Sequence, residues 1–142
     1  MTNDSHIHIR SEADISIAIY ASKRVAAEMG FSDVEEMFVA TAVSELGNNL
    51  FFHANGGVIT VRTLTYPDRQ GIEILSQDEG PGIEDINLAM TDGYSTAGSL
   101  GHGLGAVRRL MDEFEIESTP GKGTRIAART WSKAEPPNRG AK

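Results

Sequence analysis

Glu45 and Asn49 stand four residues apart in S-E-L-G-N-N-L, a spacing that puts both side chains on one face of a helix. A carboxylate and a carboxamide there suit a solvated helix face. They also suit a pair with separate roles. Asn49 then offers a neutral oxygen to a hard cation such as Mg2+, and Glu45 a general base for a water or hydroxyl nearby. Asp78 directly precedes Glu79-Gly80-Pro81-Gly82. An Asp at this point starts a turn, or it holds an acceptor at a strand end for the exocyclic amine of a base. In that second reading the glycines let the base lie against bare backbone. Gly101-His102-Gly103-Leu104-Gly105 opens a helix. Helix starts present free N–H groups to phosphate, although a structural loop has a similar composition. Seven of the chain's 15 glycines fall between Asp78 and Gly105.

Other chemistries find little support. The Walker pattern is missing, and the glycine spacing is G-x-G-x-G after a loop, not G-x-G-x-x-G after a strand. Lys and Arg are absent between Gly82 and Arg108, so phosphate charge would fall to backbone N–H groups, the hydroxyls of Ser95, Thr96 and Ser99, and a metal. His6 and His8 read as exposed strand residues. His53 follows Asn49 by one turn and borders the same site or packs. His102 touches phosphate or is a solvated loop residue. No zinc spacing or nucleophile elbow is present. The chain has no cysteine and a net charge of −7, which argues against nucleic acid as a partner. Its longest apolar runs are too short to span a bilayer, residues 1–10 lack a signal-peptide pattern, and a cytoplasmic, membrane-free protein is expected.

The elements that must position these residues follow from pattern. Residues 6–10 alternate as a strand. Ser11 caps a helix with Ile15, Ile19, Ala26 and Met29 near one face, ended by Gly30. Ser32-Asp33-Val34-Glu35 is a capping box opening a helix to about His53, with Val39, Val43, Leu46 and Leu50 as its apolar stripe. Residues 58–61 and 71–75 are strands around a 67–70 loop, 84–90 a short helix, and 92–101 a mobile loop. A third long helix starts near Gly103, and strands 114–118 and 124–131 flank a turn at 120–123. The order predicts an α/β (α+β) two-layer sandwich with a mixed, mainly antiparallel sheet and helices on one face. The expected organisation is one domain over 1–131 and a disordered tail over 132–142.

The ordered set E-x-x-x-N, D-x-G-P-G, G-x-G-x-G and Gly123-Thr124 resembles the GHKL ATPase superfamily, with its Bergerat ATP-binding fold. A lone domain of this size is similar to the serine/threonine kinases of bacterial partner-switching pathways. The stretches 92–101 and 107–114 resemble the stressosome switch kinases in particular. The resemblance implies ATP and Mg2+ as cofactors. Asp78 would bind the adenine amine, with Gly80 and Gly82 shaping the pocket and Thr124 supporting the contact. Asn49 would hold Mg2+, and Glu45 would be the catalytic base. Gly101, His102, Gly103, Leu104 and Gly105 would hold phosphates, together with Ser95 and Thr96 from a lid over 92–100. Asn48, His102 and Ala106 depart from the pattern. The implied partners are STAS-domain proteins as substrates and a metal-dependent serine phosphatase as the target of the released kinase. Retention of Glu45 argues against pure binding by an anti-sigma factor or nucleotide-gated switch, and a free-standing ATPase is a third reading, marked by ATP turnover without a protein substrate.

Overall fold

The computed structural model describes residues 4–83, 85, 86, 90 and 103–133. Strand β1 (Asp4–Ile9) leads into helix α1 (Glu12–Glu28), and α2 (Asp33–His53) follows. Strands β2 (Gly57–Thr65) and β3 (Gln70–Asp78) form a hairpin. Helix α3 (Leu104–Leu110) then precedes the hairpin of β4 (Glu113–Thr119) and β5 (Gly123–Trp131).

Both helix starts expected from sequence are built by reciprocal caps. Ser11 accepts from the Asp14 N–H while the Asp14 carboxylate accepts from the Ser11 N–H, and Ser32 and Glu35 do the same. Each pair satisfies two N–H groups that a helix start otherwise leaves without partners. Gly30 takes a positive φ just beyond α1, as the glycine stop requires. Helix α3 has only seven residues, because Met111 is already extended. It is therefore shorter than the long helix expected near Gly103.

The sheet order is β1-β2-β3-β5-β4, and all four ladders are antiparallel. The mainly antiparallel character read from sequence holds, but the sheet is not mixed: among the described residues every strand, including β1 against β2 and β3 against β5, pairs antiparallel. The β2–β3 ladder also runs further than expected, from Val58↔Gln77 to Thr65↔Gln70, because Tyr66 and Arg69 close the loop with backbone bonds. Of the expected 84–90 helix, residues 84 and 87–89 lie outside the described residues. The Met90 N–H donates to the Ile86 carbonyl at helical spacing. Most of the 132–142 segment lies outside as well, while Ser132 donates its N–H to Gln70.

The helices cover one face of the sheet. Val39, Val43, Leu46 and Leu50 of α2 are at most 1% exposed and pack with Ile59, Val61, Ile72, Ile74, Ile126 and Ala128. Each such branched side chain contributes roughly 1.5–3 kcal/mol by leaving water. The opposite face carries charge. Asp4↔Arg62, Arg62↔Glu73, Glu73↔Arg129 and Arg129↔Glu113 are direct cross-strand partners, so an alternating ladder of charges crosses all five strands. Ion pairs link it from end to end, with Arg129 Nε 2.6 Å from Glu73 Oε2. No helix among the described residues is long and apolar enough to cross a membrane.

Candidate functional site

The site forms where β3 and β5 reach the second half of α2. Asp78 pairs with Thr124 and Ser76 with Ile126. The two-residue period of a strand points these four side chains to one face. Asn49, Leu50 and His53 descend on them from α2, and Pro81, Gly82 and Ile83 close one side. Together they line a cavity of about 230 Å³. This is below the roughly 300–1,000 Å³ of a drug-sized ligand pocket, so it suits one flat ring system with the rest of a ligand extending outwards. A second, more open cavity lies beyond the turn, between residues 54–58 and 77–81.

Burial raises the Asp78 carboxyl above the usual carboxylate range, against backbone hydrogen bonds from Gly80 and Thr124 that pull it down. The Gly80 N–H donates to Asp78 Oδ1 at 2.8 Å. No cation among the described residues pairs with Asp78. Asn49 Nδ2 is buried and without a hydrogen-bond partner among the described residues, a costly state unless a ligand completes it. Carboxamide oxygen and nitrogen are interchangeable by rotation, so the same group can present oxygen to a cation. Mg2+ commonly takes only one or two protein oxygens and fills the rest of its shell with phosphate and water. Asn49 therefore fits such an ion.

Glu45 lies on the same helix one turn earlier. Burial alone raises its carboxyl, and it forms no ion pair or hydrogen bond among the described residues. Its carboxylate abuts Gly103, the α3 cap, where φ is +67° and a Cβ would collide with Glu45 Oε2. Only glycine allows the loop to come this close to the acid. Gly82, with φ +77°, likewise packs against the Thr119 carbonyl.

The structure thus gathers Asn49, Asp78, Gly82 and Thr124 around one cavity, and Glu45 and Gly103 beside each other. Gly80 supports Asp78 through its N–H but faces the second cavity. Leu104 is fully buried in the core and Gly105 is buried within α3, so Leu104 has only its backbone to offer a ligand. Ser95, Thr96, Gly101, His102 and the 92–100 lid lie outside the described residues. Sequence reasoning missed Ser76 and Ser118. Ser76 was legible, two residues before Asp78 on one strand. Ser118 was not, because only the β4–β5 register brings it to Thr124, 2.7 Å away.

The histidine kinase-like ATPase domain family matches residues 11–130. The chain belongs to this family. It is 42% identical to the serine/threonine-protein kinase RsbT of Bacillus subtilis, over 92% of this chain and 98% of that protein. The enzyme class expected from the sequence is the class of this relative. An anti-sigma F factor of Caldanaerobacter subterraneus is 40% identical over 62% of this chain and 64% of its own length. In fold, the chain is similar to the mycobacterial sensor histidine kinase MprB, with a TM-score of 0.54 at 16% identity, covering 93% and 98% of the two chains. These likenesses agree with the GHKL-type sandwich expected from the motifs.

Proposed function

We propose that this chain is a cytoplasmic, ATP- and Mg2+-dependent protein serine/threonine kinase of a bacterial partner-switching pathway. Its substrate is a small STAS-domain protein, and the released kinase activates a metal-dependent serine phosphatase. The observation that carries the reading is the convergence of Asp78, Thr124 and the partnerless Asn49 amide on one cavity, with Glu45 a helical turn away against Gly103. The identity to RsbT over nearly the whole of both chains supports the enzyme class.

Bound ATP with Mg2+ would supply the phosphoryl group, and the chain's part is mostly positioning and charge neutralisation. Asp78 accepts a hydrogen bond from the base amine while Gly82 leaves the base room. Thr124 supports that contact from the neighbouring strand. Asn49 holds the cation. By the family resemblance, Gly101, Gly103 and Gly105, the Leu104 backbone and His102 would hold the phosphates, together with Ser95 and Thr96. Glu45 takes the proton of the acceptor hydroxyl, and its raised pKa makes it a better base than a solvated carboxylate. Phe38 and Phe52, both exposed, stand seven residues before and after Glu45 on α2, almost in line with it along the helix. A partner protein lying on this stripe would deliver its serine to Glu45.

The test is phosphotransfer from labelled ATP to a STAS-domain protein with Mg2+ present. Phosphoserine or phosphothreonine should form with the wild type and not with Glu45→Ala. Undiminished transfer by that variant would remove Glu45 from the mechanism. The likeness to anti-sigma F factors favours a second reading, a binding switch with little kinase activity. Recovery of a sigma factor instead of a phosphatase, with ATP bound but no transfer, would establish it.

A further inference from the structure

We infer that Ser118 is a positioning residue of the nucleotide site, aiming the Thr124 hydroxyl into the base cavity and tying the Pro81–Ile83 segment to the same point. The inference rests on the proposed placement of a base between Asp78 and Thr124. Ser118 lies on β4, outside the lining of the cavity, yet its Oγ is a three-way junction. It accepts from the Ile83 N–H at 2.7 Å, meets Thr124 Oγ1 at 2.7 Å, and lies 3.3 Å from the Gly123 carbonyl. A second bond joins the same two segments, from the Gly121 N–H to the Pro81 carbonyl at 2.7 Å.

A serine hydroxyl has one proton to donate. Ile83 occupies an acceptor site on Ser118, so that proton goes to Thr124 or to Gly123. The Thr124 contact is shorter by 0.6 Å, the difference between 3.3 and 2.7, and has the length of a good O–H···O bond. With Ser118 donating, Thr124 accepts there and turns its own proton towards the cavity. Asp78, its direct partner across the ladder, presents an acceptor. The cavity floor then shows acceptor and donor side by side. That pair matches an amine next to a bare ring nitrogen, the edge of adenine. Hypoxanthine presents the opposite pair, a carbonyl beside a ring N–H. Ser118 therefore contributes to base selection without touching the base, and base binding is felt at Ile83.

Titration calorimetry with ATP, ADP and inosine triphosphate, on the wild type and on Ser118→Ala and Ser118→Thr, tests this. Loss of one oriented hydrogen bond should weaken ATP and ADP alike by about 5- to 10-fold, and inosine triphosphate much less. Preference for adenine therefore drops. Ser118→Thr keeps the hydroxyl and should restore both affinity and preference. Hydrogen exchange gives a second readout: ATP should slow the Ile83 amide in the wild type, and not in Ser118→Ala. Should Ser118→Ala fail to fold, Ser118→Cys, similar in size with a weak donor, takes its place. Ser118→Ala with ATP affinity within twofold of the wild type and unchanged preference overturns the inference. So does Ser118→Thr behaving like Ser118→Ala. A wild type that binds no ATP brings down the nucleotide reading itself, a result distinct from either of these.

Discussion

Strand β3 carries two acids, Glu73 and Asp78, on opposite faces of the same sheet. Glu73 is 5% exposed, and both its oxygens are taken, by Arg62 at 3.0 Å and Arg129 at 2.6 Å. Arg129 in turn holds Glu113 and Glu115, and its hydrogen bonds, that to Glu115 foremost, raise its pKa. Asp78 is half-buried on the helix-covered face and, among the described residues, receives only backbone N–H groups. Its pKa moves up because burial disfavours a charge that no cation offsets. An acid with its charge matched inside the fold holds strands together. An acid buried without a counter-charge keeps a binding capacity that folding has not used. Glu45, raised by burial alone, belongs with Asp78.

The contrast can be broken at each acid. The largest effect is expected at Glu45. Glu45→Gln should cut single-turnover phosphotransfer about 100-fold or more while leaving ATP affinity nearly intact. A proportionate loss of ATP affinity would instead make Glu45 a binding group. At Glu73 the loss should be in stability. Glu73→Ala removes the centre of the ladder, and although Arg62 keeps Asp4 and Arg129 keeps Glu113 and Glu115, the lost charge-assisted bonds should cost about 2 kcal/mol in urea unfolding, with the ATP affinity of the folded fraction unchanged. A shift in that affinity would show that the two faces are coupled.

Asp78→Asn should do the reverse, weakening ATP about tenfold while sparing or raising stability without ligand. The sign follows from the raised pKa. Asp78 contributes stability when protonated, fully so below its ordinary value of 3.8, and loses that contribution as pH rises through its higher folded value. The melting-temperature advantage of Asp78→Asn should therefore grow as pH rises from the ordinary value through the folded one, level off above it, and vanish below the ordinary value. Wild-type ATP affinity should fall as Asp78 takes up a proton, and the variant should lack this step. A pH-independent difference in melting temperature would remove burial of charge as the cause. The smallest effect is expected at Arg24. Its pair with Glu28 is 67% and 64% exposed, and Arg24→Ala should change stability by no more than about 0.5 kcal/mol.

Much of this was legible in the residues. The Ser11 cap and the Ser32–Glu35 capping box are local signals, so helices α1 and α2 could be started correctly from sequence, while the reciprocal bond of Asp14 to Ser11 came with the structure. The α2 stripe from Val39 to Leu50 follows from helical period alone, and so does the shared face of Glu45 and Asn49. The sheet's charge ladder was not legible. Asp4, Arg62, Glu73, Arg129 and Glu113 are scattered over more than a hundred positions, and only pairing register makes them neighbours. The length of α3 was also hidden, since Met111 is already extended although the sequence places no breaker there.

By itself the sequence determined which chemical groups the protein has to work with. They are an acid and an amide one helical turn apart, an acid at a strand end, and glycines where backbone must come close. These depend on period and on side-chain chemistry, which are local. Tertiary structure decided which acid was left without a cation, which glycine touches Glu45, and that Ser118 stands behind Thr124. Such facts depend on strand register and on burial, and both arise only when distant segments pack together.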